Sequence, residues 1–270
     1  MATYLDRIGA WHREAASRDH RDMRELAVAA RETPAPRKFI EALERSRSHC
    51  SASPPIALIA EIKRRSPSKG DIALDLDPAE VAREYAAGGA ACLSVLTDEP
   101  DFAGSASDLQ AARAAVEIPV LRKDFTIAPG DVYDARLMGA DAVLLIAALL
   151  DQAELAELYR LTTELEMAAL VEVHDESELE QALEIGARLV GVNQRDLHSF
   201  EVDRARAARV ARRIPAGVLK IAESGVESAS DVAALVEAGF DGVLVGEALV
   251  RSPDRRAAVA ALLNGSVPCG

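Results

Sequence analysis

The chain has 270 residues, 49 % hydrophobic and 28 % charged, with a formal net charge of −13. A chain of that length buries a core without disulfides or structural metal, and that composition excludes wholesale disorder. The acidic balance argues against a nucleic-acid or membrane-surface binder, although a few local cations can still hold a small anion.

Residues 1–55 mix Asp, Glu, Arg and His with apolar positions. They lack the uninterrupted apolar core of a secretion signal, and no stretch in the chain approaches the ~18 apolar residues of a membrane span. They read as an N-terminal helical extension of one or two helices, over 2–30 and 36–47, punctuated by Pro34, Pro36, Pro54 and Pro55. Its expected role is to cap one end of the main domain rather than to overhang a site. Three cysteines without CxxC spacing point to a reducing compartment, hence the cytoplasm. Five histidines show no HExxH and no Cys/His pairing, so no metal site is expected.

From residue 56 onward one phrase recurs. An Ala-rich amphipathic stretch ends in glycine, and a short apolar run follows. The four copies are Gly88-Gly89 before 92–96, Gly139 before 142–146, Gly186 before 189–192, and Gly239 before 242–245. Glycine suits the left-handed residue that ends a helix. Further apolar runs at 56–62, 118–121, 168–173 and 218–222 bring the count to about eight strands. Helices are predicted over 78–87, 129–138, 152–166, 176–185, 203–213 and 229–238. Continuously apolar strands alternating with helices mark a parallel sheet covered on both faces. About eight such units in some 220 residues match a closed (β/α)₈ TIM barrel, placed here at 56–265 with a tail at 266–270. An open doubly wound sheet usually carries a GxGxxG or GxxxxGK[ST] loop after its first strand, and 63–70 has neither.

The apolar runs end in charge: Glu61-Ile62-Lys63, Arg122-Lys123-Asp124, Glu172-Val173-His174, Asn193, Glu223-Ser224-Gly225 and Gly246-Glu247. In a barrel these ends converge on one face, where the active site lies. Glu61 and Lys63 are two apart and point to the same side of their strand. If the charged sides face the axis, two ammonium groups and three carboxylates meet in one pocket, able to hold an acid and a base together. The turns at 223–225 and 246–247 follow the last two strands, where barrels often hold phosphate on backbone N–H groups. Arg64 and Arg65 are expected to be solvated, Asp124 to serve a turn or support a neighbour, His174 to be structural, and Cys92 to fill the core.

Taken together, these segments resemble the indole-3-glycerol phosphate synthase family. The carrying motifs are Glu61-Ile62-Lys63-Arg64-Arg65-Ser66-Pro67-Ser68-Lys69-Gly70, then Leu96-Thr97-Asp98 with Phe102 and Gly104. Arg122-Lys123-Asp124-Phe125, Leu170-Val171-Glu172-Val173-His174, Asn193-Gln194-Arg195-Asp196-Leu197, Glu223-Ser224-Gly225 and Gly246-Glu247 follow in order. The match runs from about Ala30 to the C-terminus. The resemblance implies closure of a carboxyphenylamino-deoxyribulose phosphate to an indole with loss of CO₂ and water, and no cofactor. It implies a catalytic set of Glu61, Lys63, Lys123, Glu172, Asn193, Glu223 and Ser224, with Lys123 as the acid. Which of Glu61 and Glu172 serves which step stays open. It implies an aryl slot of Pro67, Phe125 and Leu197 near Ser66 and Arg195. Phosphate would rest on Lys63, Ser224, Gly225, Gly246 and Glu247. Ala248 stands where many relatives carry a hydroxyl residue, which leaves backbone donors there. The expected partner is a small phosphorylated substrate, with no nucleic acid or membrane, for a monomer or weak homo-oligomer. A sugar-phosphate isomerase, a Schiff-base aldolase and a non-catalytic phosphometabolite-binding barrel remain alternatives.

Overall fold

The computed structural model describes residues 4–49, 56–195 and 202–264. Eight strands form its frame: β1 (Ala57–Ile62), β2 (Cys92–Leu96), β3 (Val120–Lys123), β4 (Ala142–Ile146), β5 (Ala168–Val173), β6 (Leu189–Asn193), β7 (Leu219–Glu223) and β8 (Gly242–Val245). Each pairs in parallel with its neighbours, and β1 pairs with both β2 and β8, so the ring closes. The predicted TIM barrel is the fold. The runs expected at 118–121 and 218–222 shift to end on Lys123 and Glu223. The ladder pairs Leu96 with Lys123 and Asn193 with Glu223, drawing these charged residues into the wall.

The local chemistry explains the elements. Gly89, Gly139, Gly186 and Gly239 sit at φ 104°, 89°, 76° and 87°, ending their helices as the repeat requires. Asp77, Ser105, Asp151, Asp175, Asp203 and Ser228 cap helix starts with side-chain oxygens that accept backbone N–H groups. The ring is filled by Ile59, Leu121, Leu144, Leu170, Ile221 and Leu244, a cluster distinct from the larger one between strands and helices. A small antiparallel hairpin, Arg65–Ser66 with Gly70–Asp71, follows β1.

The extension differs from expectation in two ways. Its described residues form three helices, α1 (Tyr4–Ser17), α2 (Met23–Glu32) and α3 (Phe39–His49). The long first helix is interrupted because Asp22 accepts the Arg24 N–H and starts a new helix, while Arg21 reaches Asp19 and Asp134. It also does both jobs rather than one. Phe39 and Leu43 of α3 are buried among the residues that open the strands, and the Cys92 Sγ lies 3.8 Å from the Phe39 carbonyl. This stoppers the N-terminal end of the ring. Helix α1 lies at the other end, where Tyr4 and Leu5 line the mouth. Residues 50–55 and the tail expected at 266–270 lie outside the described residues.

Phe39→Ala is expected to destabilise the protein by about 3–5 kcal/mol, the usual cost of emptying a buried aromatic site. Urea unfolding followed by circular dichroism measures it. A loss under ~1 kcal/mol would mean that α3 does not seal the ring.

Candidate active site

At the C-terminal ends of the strands a cavity of about 490 Å³ opens. Its floor is apolar, made by Leu144, Ile146 and Leu244 from inside the ring. Into it project Glu61, Lys63, Lys123, Glu172, Asn193 and Glu223. Each is one of the last two residues of a strand or directly follows one, so the rigidity of the wall fixes their spacing.

Two ion clusters occupy the cavity. In the first, Lys63 Nζ lies 2.7 Å from Glu61 Oε1. In the second, Lys123 Nζ lies 3.0 Å from Glu172 Oε2 and 3.5 Å from Glu223 Oε2. Asn193 donates its amide N–H to Glu172 Oε1 at 3.0 Å, and the Ser224 hydroxyl donates to Asn193 Oδ1 at 2.9 Å. Gly191 makes this possible. Glu172 pairs with Gly191 across the ladder, and a Cβ at Gly191 would lie 1.9 Å from Glu223 Oε1. Only a residue without a side chain lets Glu223 lie across β6 toward Glu172.

Electrostatics then separates the two carboxylates. Burial opposes ionisation of both. For Glu172 the nearer Lys123, His174 and the Asn193 hydrogen bond outweigh burial and hold its carboxyl well below the usual range. For Glu223 burial and the neighbouring Glu172 charge prevail over Lys123, pushing its carboxyl well above that range. Burial would lower the Lys123 ammonium, but Glu172, Glu223 and Glu61 more than reverse this, so it is raised. The arrangement is a buried ammonium between two carboxyls of opposite tendency, Glu172 held toward its ionised form and Glu223 pushed toward its protonated one. Such groups cost several kcal/mol each to desolvate and add little net stability, so their concentration in one cavity marks function.

The turns after β7 and β8 complete one side of the cavity. Ser224 and Gly225 both take left-handed backbone, at φ 67° and 72°, a conformation that costs a non-glycine residue about 1 kcal/mol or more. Gly246 precedes the short helix Glu247–Val250, whose first N–H groups have no intrahelical acceptor. Lys63 Nζ lies 3.1 Å from where a Cβ on Gly246 would stand, so this cation borders the turn. The Glu247 carboxylate is engaged by Arg251 at 3.3 Å and Lys69 at 3.8 Å. Both cations line the cavity beside Ala248.

The opposite side is aromatic. Phe125 faces Phe102 with ring centroids 6.4 Å apart and His12 of α1 at 5.1 Å. Pro67, Ser66 and Arg195 line the same cavity, and the Arg195 N–H donates to Asn193 Oδ1. Outside the wall, Arg122 holds Asp124 Oδ2 at 2.9 Å and donates to Thr97 and the Asp131 carbonyl. Asp124 also accepts the Phe125 N–H. This clamps the backbone on both sides of Lys123, the supporting role expected of Asp124. His12, Asp98 and Asp124 bring ligand atoms within 4.8 Å of one another. Asp124 is already committed to Arg122 and Thr97, leaving too few donors for a closed metal site.

All the expected site residues that are described therefore line one cavity; Leu197 lies outside the described residues. Arg64 departs from its expected solvated state. It pairs with Asp108 through two nitrogens, at 2.7 and 3.0 Å, and so contributes no free charge to an anion site. Tyr4 and Leu5 were not anticipated, nor were Lys69 and Arg251 as lining cations. Nothing in the spacing of residues 4 and 5 or 251 signals the cavity, whereas Lys69 and Phe102 stood inside the quoted motifs.

The sequence matches the family model for indole-3-glycerol phosphate synthase over residues 5–262, starting earlier than the resemblance at residue 30 suggested. It is 49 % identical over 265 residues to the indole-3-glycerol phosphate synthase of Mycolicibacterium gilvum (strain PYR-GCK), covering 97 % of this chain and 94 % of that protein. It is 51 % identical over 244 residues to the one from Parafrankia sp. (strain EAN1pec), covering 89 % and 91 %. Among solved structures, a 3-hexulose-6-phosphate synthase superposes with TM-score 0.62 at 19 % identity, over 78 % of this chain and 99 % of that one. A thiamine phosphate pyrophosphorylase from Pyrococcus furiosus gives 0.60 at 16 %, over 78 % and 95 %. These two likenesses concern the fold alone.

Proposed function

The chain belongs to the indole-3-glycerol phosphate synthase family, and from that membership we propose how its side chains divide the work. The reaction closes 1-(2-carboxyphenylamino)-1-deoxyribulose 5-phosphate into indole-3-glycerol phosphate with loss of CO₂ and water, a step of tryptophan biosynthesis. The observation that carries the proposal is the pair of ion clusters in one cavity, Lys123 between Glu172 and Glu223 and Lys63 on Glu61.

Ring closure needs an acid at the substrate carbonyl while the aryl carbon attacks it. Lys123 is that acid, because its three carboxylate neighbours keep it charged inside an apolar-floored cavity. Glu172 holds Lys123 in position and stabilises positive charge on the substrate amine, and Asn193 fixes the rotamer of Glu172. Loss of CO₂ restores the aromatic ring. Dehydration then needs a base at the carbon beside nitrogen and an acid at the hydroxyl. Glu61 and Lys63, 2.7 Å apart, supply that couple, and the proton taken by one can return to the other. Glu223 acts as a hydrogen-bond donor to substrate, a task that its raised proton affinity favours.

Phosphate is assigned to the N–H groups of Gly225, Gly246 and Glu247, with the Ser224 hydroxyl and Lys63 beside them. Lys69 and Arg251 make good the charge that Arg64 does not provide. The anthranilate ring is assigned to the slot between Pro67 and Phe125, its carboxylate toward Ser66 and Arg195. No helix among the described residues is long and apolar enough to cross a membrane. With buried, unpaired Cys92 this favours action in the cytoplasm.

The test is to incubate the purified chain with the carboxyphenylamino substrate and follow the fluorescence of the indole product. Turnover of ribulose phosphates that lack the aryl ring, with none of this substrate, would overturn the assignment.

A further inference from the structure

The reaction consumes a proton. A substrate ionised at its carboxylate plus one proton gives the indole, CO₂ and water. On the division of roles proposed above, on which this inference rests, the Glu61–Lys63 couple resets itself, because dehydration takes one proton and returns one. Lys123 is then left one proton short after each turnover, as a neutral amine inside the cavity.

Among the described residues, Lys123 has Glu172 and Glu223 within ion-pair distance, and behind Glu172 stands His174. His174 does not line the cavity. Its Nε2 is buried without a hydrogen-bond partner and lies 3.5 Å from Glu172 Oε1. Its Nδ1 lies 3.0 Å from Glu178 Oε2, which also accepts the His174 backbone N–H at 2.7 Å. Glu178 lies in the first turn of the helix Glu176–Glu184, which packs on β5, and its side chain is 18 % exposed. The groups facing the imidazole are thus Glu172, Glu178 and Glu223, all carboxyls; burial lowers its affinity for a proton, and these three outweigh burial.

We propose that Glu178, His174 and Glu172 form a proton route from the surface that recharges Lys123 after ring closure. A proton from water reaches His174 Nδ1 along Glu178. The imidazolium releases its Nε2 proton to Glu172, and Glu172 passes it to the Lys123 amine 3.0 Å away. The hydrogen gained at Nδ1 replaces the one given up at Nε2, so each passage leaves the imidazole as its other tautomer and reorientation of the ring resets it before the next, with no oxidant or other reactant needed. His174 acts through Glu172 and touches no substrate, so its effect falls on recharging and not on the first chemical event.

Rapid mixing of enzyme with excess substrate separates the two. In His174→Asn the first product per site is expected to form at the wild-type rate, with later turnovers slower by at least ~10-fold, a modest share of what proton transfer contributes to catalysis. KM should fall together with kcat, leaving kcat/KM near the wild-type value, and added imidazole buffer should speed the slow phase. Glu178→Gln, remote from the cavity and keeping the side-chain shape, should reproduce the pattern if His174→Asn folds poorly. A first turnover slowed as much as the later ones, or a steady state within about twofold of wild type in both variants, overturns the route. Failure of the underlying division of roles looks different: Lys123→Ala would then keep a normal first turnover.

Discussion

Lys123→Ala is expected to lower turnover at least ~100-fold, the usual scale for losing a positioned general acid. The substitution removes the ammonium that sits 3.0 Å from Glu172 and 3.5 Å from Glu223, leaving among the described residues the His174 imidazole, 3.5 Å from Glu172, as the other basic group within ion-pair distance of either carboxylate. Lys63 is committed to Glu61. Because Lys123 is the charge that chiefly overcomes the burial of Glu172, its loss raises the Glu172 carboxyl and moves the acid limb of the pH–rate profile to higher pH. The sign is set by the depressed carboxyl: it stays ionised over a wide range only while its cation is present. Pre-steady-state fluorescence of the indole product across a pH series checks both effects. Near-normal turnover in this variant would remove Lys123 from the acid's role.

Glu172→Gln is the second large effect, again a loss of at least ~100-fold. Glutamine keeps the length of the side chain and an oxygen for the Asn193 amide, so geometry is largely preserved while the charge is lost. Two shifts follow. Lys123 loses its nearest raising charge, and Glu223 loses the neighbour that helps it keep a proton. Glu223 then ionises more readily and takes over as the counter-ion of Lys123, so the fold survives with little loss of stability. Thermal unfolding should show a small change beside a large fall in kcat. A collapse of stability with normal specific activity in the folded fraction would make Glu172 a structural ion-pair partner and nothing more.

The barrel was legible because its causes are local. Each of the four glycines that the repeat placed at helix ends needs left-handed backbone where it stands, and each apolar run needs cover on both faces. The strand-end charges were legible for the same reason, since a charged residue at the close of a buried strand has to be paired or used. Lys69 and Phe102 could have been singled out from the motifs that contained them. Arg64 could not, because its partner Asp108 lies 44 residues further along and is brought near only by the packing of a helix on the wall.

The order of residues alone therefore determined the eight-fold βα alternation, the face on which charge gathers, and the chemical types available there. Tertiary structure decided how those groups share protons. Glu172 and Glu223 are the same residue type at equivalent strand ends, and the local difference between them is His174, two residues beyond Glu172. Ring closure puts Lys123 and Asn193 nearer to Glu172, and the bare backbone of Gly191 lets Glu223 lie against its neighbour's charge. Proton affinity in a buried cluster depends on distances of a few ångströms between chain segments far apart in sequence, and those distances exist only once the barrel has closed.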